Sequence, residues 1–142
     1  MAVTKRSFRS FKYRIALLAS LAIIVPLGFI TKFYPGPGHE WLNNAFGGVP
    51  YEIFWILLVV YLRPKTSPLK IAVGVCLITC GLEFLQLWQP SFLQVIRQTS
   101  LGRLVLGNSF SWQDFPYYFI GSALGWMWVR SLRRRQPPEA NV

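Results

Sequence analysis

Glu52, Glu83 and Asp114, three of the five acidic residues in this 142-residue chain, fall inside or at the edge of long apolar runs. A carboxylate in apolar surroundings is costly unless it is paired, protonated or hydrogen-bonded, so its position needs a reason. Glu83 and Gln86 are spaced to share one face of a helix. Arg97 and Arg103 follow in a stretch of mixed polarity, and Asp114 closes Ser111-Trp112-Gln113-Asp114. Two chemistries suit this set. The arginines can hold an anionic headgroup, with Gln86 and a helix N-terminus adding hydrogen bonds. Alternatively Glu83, with Asp114 or Glu52 as a second carboxyl, can serve as general acid and base.

The elements that must position these residues are apolar. Four runs, at about 15–33, 45–62, 69–88 and 112–129, are each long enough to cross a bilayer core of ~30 Å at ~1.5 Å per helical residue. They predict an all-α integral membrane protein with four transmembrane helices in a compact bundle. Residues 1–14 form a basic cytoplasmic tail, 15–129 the transmembrane domain, and 130–142 a second basic tail whose polar end, 136–142, is expected to be disordered. The connection at 89–111 is the longest. Its Phe92, Leu93, Val95, Ile96, Leu101, Leu104, Val105 and Leu106 are interspersed with Arg97, Gln98 and Arg103. That pattern fits a partly apolar outer loop that lies in the interface or dips into the bundle, with Gly102 and Gly107 keeping any helix there short.

Charge sets the orientation. With four crossings, twelve basic residues (Lys5, Arg6, Arg9, Lys12 and Arg14; Arg63, Lys65 and Lys70; Arg130, Arg133, Arg134 and Arg135) share one side and three (Lys32, Arg97 and Arg103) the other. The positive-inside rule then places both termini in the cytoplasm. Tyr34, Trp41, Tyr51, Trp88 and Trp112 mark the outer interface, and Tyr13, Tyr61, Trp126 and Trp128 the inner one. The net charge of +10 therefore belongs to membrane flanks, and no fold signature points to nucleic acid. The first run passes Pro26 without a small-residue cleavage site, so it reads as a retained anchor rather than a secretory signal. Cys76 and Cys80, four apart on one helix, are poorly placed for a disulfide, and no metal or other cofactor is indicated.

In this topology Glu52, Glu83, Gln86, Arg97, Arg103 and Asp114 all approach the outer face. Asp114 stands three residues after Ser111, the spacing of a capping box, and Glu52 lies in a first helical turn; the helix dipole is an alternative explanation for both. His39, beside Glu40 in a turn-rich loop, reads as solvated. Glu83 differs: it is about five residues, ~7–8 Å of rise, below the end of its run, where the dipole disfavours negative charge. Pairing with Arg97 or Arg103 is the expected remedy.

The residues Gly81-Leu82-Glu83-Phe84-Leu85-Gln86-Leu87, Gly102-Arg103-Leu104-Val105-Leu106-Gly107 and Phe110-Ser111-Trp112-Gln113-Asp114, with Tyr118 and Gly121, together resemble a group of small bacterial membrane proteins. It is known as the domain of unknown function 2809 family. The resemblance implies four short helices and a basic start, but no activity. A looser likeness is to the VanZ-like membrane proteins, which share a Glu-x-x-Gln on one helix, an Arg in the next loop and an Asp opening the last helix. Here these positions are Glu83, Gln86, Arg103 and Asp114. Tyr118 departs from the Asn of that pattern. At the second helix, Glu52 keeps a three-residue offset to Trp55 where the closer family has Gly-Asp before a Trp.

The functional expectation is a bacterial inner-membrane protein whose outward-facing pocket binds an anionic lipid or envelope-precursor headgroup. Two alternatives stand beside it: a membrane-embedded enzyme acting on a lipid-linked substrate through Glu83, and a structural partner subunit. The last would place Gly121 and Gly125 on a helix–helix interface within a homo-oligomer or against another membrane protein.

Overall fold

The computed structural model describes residues 2–106 and 110–135, with side-chain environments from Ser10 onward except at Ala45. The expectations that Gly107 limits a helix and that 136–142 is disordered fall outside the described residues. Every regular element among the described residues is helical. In chain order these are α1 (Ala2–Phe33), α2 (His39–Trp41) continuing into a π-turn (Leu42–Phe46), α3 (Gly48–Leu62), α4 (Pro68–Leu85), α5 (Ser91–Gln98), α6 (Ser100–Leu106) and α7 (Asp114–Arg134). Three stretches are long and apolar enough to cross a membrane: Ser10–Phe33, His39–Leu62 and Pro68–Leu85. At 21 residues α7 is also long, but its tyrosines, tryptophans, glycines and arginines leave it outside that set.

Several boundaries differ from those expected. The basic segment before residue 15 is not an appendage but the beginning of α1, since it contains no glycine or proline to stop a helix. Helix α1 also runs through Pro26, whose missing amide leaves the Ala22 carbonyl without its helical donor. Helix α4 ends at Leu85 rather than 88, because Gln86, Leu87 and Trp88 tighten into i→i−3 bonds at 3.0–3.1 Å. The long connection is largely ordered as α5 and α6.

Helices α1, α3, α4 and α7 alternate in direction, and contacts at both ends define this. At one end Arg14 lies over the Tyr61 ring at 5.5 Å, and Arg133 donates to the Pro64 carbonyl at 2.6 Å and the Thr66 carbonyl at 3.4 Å. At the other end Trp41 donates to the Tyr117 hydroxyl at 2.7 Å, and Tyr51 to the Val105 carbonyl at 2.9 Å. The core lies along α3, where Val49, Ile53, Ile56, Leu57 and Val60 are buried, with Leu17 and Ile24 of α1, Ile71 and Val75 of α4 and Val129 of α7. Large apolar side chains such as Ile23, Leu27, Ile30, Leu77 and Ile78 face outward, as lipid-facing residues do.

Lipid does not drive apolar helices together, so close packing and hydrogen bonds must hold such a bundle. Helix α7 uses glycine for this. A Cβ on Gly121 would stand 2.7 Å from the Glu52 Cβ and 2.9 Å from the Val49 carbonyl oxygen; one on Gly125 would stand 2.8 Å from the Ile56 Cδ1. Both glycines therefore serve the α3–α7 contact inside the chain. Trp128 adds a bond from its indole nitrogen to the Ser20 hydroxyl of α1 at 2.9 Å.

Candidate functional site

The polar residues form a ladder along α7. Asp114, Tyr118 and Ser122 recur every four residues, so they share one face, and that face meets α3 and α4. Ser122 donates to Glu52 Oε2 at 2.9 Å and Tyr118 to Glu83 Oε2 at 2.9 Å. Each carboxyl thus ties its own helix to α7.

Glu83 is 1% exposed. Its Oε1 accepts the Ser111 backbone N–H at 2.8 Å, and its Oε2 accepts both Tyr118 and the Gln86 side-chain amide, the latter at 3.3 Å. The Gln86 amide also donates to the Leu106 carbonyl at 2.9 Å, so the Glu83–Gln86 pair ties both Leu106 and Ser111 to the end of α4. Aromatic rings cluster with Tyr118, which bonds the carboxyl: Phe115 stands 6.3 Å from Tyr118 and 5.3 Å from Phe84, and Phe110 lies 4.9 Å from Trp112. The carboxyl is a closed junction with three neutral donors.

The expected Glu83–arginine pair does not form. Arg97, 5% exposed, donates instead from its two terminal nitrogens to the Leu85 carbonyl at 3.1 Å and the Trp88 carbonyl at 3.2 Å. Both carbonyls lie where α4 ends, the Leu85 oxygen also accepting the Trp88 N–H at 3.0 Å, and a cation there is favoured by the helix dipole. The Arg97 Nε is buried without a partner. Arg103, on α6, is exposed.

Asp114 opens α7 and is half-buried, with Glu83 and Lys32 as its influential charges. The capping-box geometry is not used. Gln113 precedes the helix without a side-chain bond, and the Ser111 amide is taken by Glu83. Glu52 is fully buried on α3, with Oε1 lacking any hydrogen-bond partner. Thr79 of α4 lies beside it but spends its hydroxyl proton on the Val75 carbonyl at 2.9 Å. His39 is exposed at the start of α2, and Cys76 and Cys80 are free thiols.

The structure therefore joins Glu83 with Gln86, brings Asp114 to the same end, and places Glu52 one step deeper; the arginines form a separate group on α5 and α6. Sequence reasoning about the site missed Tyr118, Ser122 and Thr79. The four-residue recurrence of Asp114, Tyr118 and Ser122 was the available signal. Two depressions stand out on the surface. One, of ≈330 Å3, lies between α3 and α4 and includes Tyr51, Trp55, Thr79, Leu82 and Val105 in its lining; the other, of ≈450 Å3, lies along the far end of α7 beside Trp126, Arg130 and Arg134.

An all-helical chain with three helices able to cross a bilayer, lipid-facing apolar surfaces and carboxyls buried between helices is a membrane protein. It belongs to the family described as Protein of unknown function (DUF2809), whose model matches residues 38–122, the part of the chain that carries the whole polar ladder and both α5 and α6. No solved structure matches the chain.

Proposed function

We propose that this protein is a four-span component of a bacterial inner membrane, with both termini cytoplasmic, that binds an anionic lipid or lipid-linked envelope precursor at its outer end. In this reading α7 is the fourth span, set against α3 and α4 through glycine contacts and polar bonds rather than through its own apolarity. The binding element is the α5–α6 pair. One observation carries the reading: on these two short helices Phe92, Val95, Ile96, Leu101 and Leu104 are all exposed, alongside the exposed Arg103. Apolar side chains turned outward on an amphipathic element are at home at the headgroup–acyl boundary, where an arginine can reach a phosphate. Arg97 underlies the pair and orders it by clamping the end of α4, with its Nε–H unspent. The sequence likeness to the VanZ-like group favours a role in envelope metabolism or in resistance to envelope-directed compounds.

Glu83 is given a different role from the arginines. Both its oxygens are engaged and it is enclosed, which suits a junction that fixes Ser111 and α7 to α4 and gives less support to acid–base catalysis in an enzyme. Gly121 and Gly125 are occupied within the chain, which likewise weakens the partner-subunit alternative as far as those residues are concerned.

Native mass spectrometry of the detergent-purified protein beside R103A tests the proposal. The expected result is an anionic lipid or lipid-linked phosphate retained by the wild type and depleted from R103A. The same lipids in the same amounts on both proteins would overturn it.

A further inference from the structure

Glu52 takes no part in the outer binding element, yet it is the least accommodated polar group in the bundle. It is fully buried one turn into α3, Gly121 of α7 abuts its Cβ, and Ser122 satisfies Oε2 alone. Oε1 has no hydrogen-bond partner. The polar groups that bear on it are Thr79 and Ser122, both neutral, while the titratable groups it influences are Tyr51 on its own helix and Cys80 on α4, which Glu83 also reaches. From α1 the buried polar side chain is Ser20, already bonded to Ala16 and Trp128. An ionised carboxylate in such surroundings lacks a counter-charge, whereas a carboxylic acid needs none. As an acid, Glu52 accepts from Ser122 on Oε2, and the neighbouring hydroxyl is that of Thr79, whose own proton goes to Val75.

Thr79 has a second face. It lines the apolar groove of ≈330 Å3 between α3 and α4, along with Tyr51, Trp55, Val59, Val75, Ile78, Leu82 and Val105. One side chain therefore separates the unpartnered Glu52 oxygen from a cleft on the lipid-facing side of the helices.

We propose that Glu52 is a proton-binding site in the membrane interior, held as a carboxylic acid between Ser122 and Thr79 and reached from the lipid side through the α3–α4 groove. Glu83 is a contrasting control in the same molecule: it is 1% exposed and its oxygens accept from three donors.

A membrane-soluble carbodiimide, N,N′-dicyclohexylcarbodiimide, reads this difference. A carboxylic acid gives its proton to one carbodiimide nitrogen while the carboxyl oxygen bonds to the central carbon; the O-acylisourea then rearranges to a stable N-acylurea, with no leaving group. The full-length protein in liposomes is treated and the modified residue located by peptide mass mapping, for the wild type and for T79A, which opens the wall between groove and carboxyl. The expected adduct is on Glu52, severalfold greater in T79A and lost in E52Q. Adduct absent from Glu52 in both the wild type and T79A, or no greater there than on Glu83, overturns the proposal. Because the wild-type chain alone carries the comparison of Glu52 with Glu83, misfolding of a variant does not blunt the test.

Discussion

Glu83 accepts from a backbone amide, a phenol and a side-chain amide, and those three donors come from three places: the segment before α7, α7 itself and the end of α4. Hydrogen bonds to an acceptor of this kind contribute modestly when formed, but each buried donor left bare costs about 1–3 kcal/mol. E83A strands the Ser111 amide and the Tyr118 hydroxyl and leaves the Gln86 amide with Leu106 alone. E83Q keeps an acceptor for Tyr118 but turns an amide group toward another donor. Thermal unfolding in detergent should therefore rank wild type above E83Q and E83Q above E83A, with Y118F close to the wild type at about 1 kcal/mol below it. A ranking with E83A equal to the wild type would refute the junction. At the same scale, Arg97 is a clamp on the last carbonyls of α4. R97A should leave the long helices intact but speed amide hydrogen exchange from Leu85 through Gln98, seen as local loss of protection by mass spectrometry.

Among the elements, α7 depends most on fit. Adding a methyl to an exposed helical glycine gains about 0.5–1 kcal/mol, whereas forcing one into a packed contact costs about 1–3 kcal/mol. The neighbours decide the sign. Gly121 faces the Val49 carbonyl and the Glu52 Cβ, both fixed by the backbone of α3, so G121A should lower the unfolding temperature and G121L should prevent the bundle from forming. Gly74 and Gly81 of α4 have nothing within 4 Å, so G74A and G81A should be neutral or stabilising in the same assay. Equal effects at all four substitutions would show that α7 does not sit against α3 as described. Helix α5 is held differently, by the buried Leu93 and Arg97 on one side, while Phe92, Val95 and Ile96 point outward.

For the molecule as a whole, alternation of α1, α3, α4 and α7 brings residues 13–14, 61–66 and 126–135 to one end, and the turn before α2, the end of α4 and the start of α7 to the other. The first end is rich in arginine and lysine, the second in carboxyl, amide and aromatic groups. Reporter fusions check the orientation that this asymmetry implies. Fusions at either terminus should be active in the cytoplasm, and a reporter inserted at Gly38 should be active on the opposite side. Activity of both terminal fusions outside the cytoplasm would reverse the bundle and remove the outer location on which headgroup binding depends.

Much of this architecture was legible without coordinates because hydropathy and charge are one-dimensional signals: the four runs, the turn at Pro35-Gly36-Pro37-Gly38, the basic loop after α3 and the unusual depth of Glu83 all stand in the chain itself. Family-type motifs around Glu83, Arg103 and Asp114 were legible too, and the family match covers them. The pairings were not. Sequence offered Glu83 two arginines on the same side, and electrostatics alone would join them. The fold instead brought the Leu85 and Trp88 carbonyls at the end of α4 within bonding distance of Arg97 and turned the Ser111 amide and Tyr118 hydroxyl to Glu83. Which of several compatible donors meets an acceptor depends on helix rotation and end geometry, and these arise when whole helices pack. The same holds for Glu52: its place in an apolar run was plain, but its bond to Ser122, seventy residues away, exists because Gly121 lets α7 approach α3. Sequence by itself determined that this protein is helical, membrane-embedded and polar at chosen points; the three-dimensional packing of α3, α4 and α7 alone decided what those points touch.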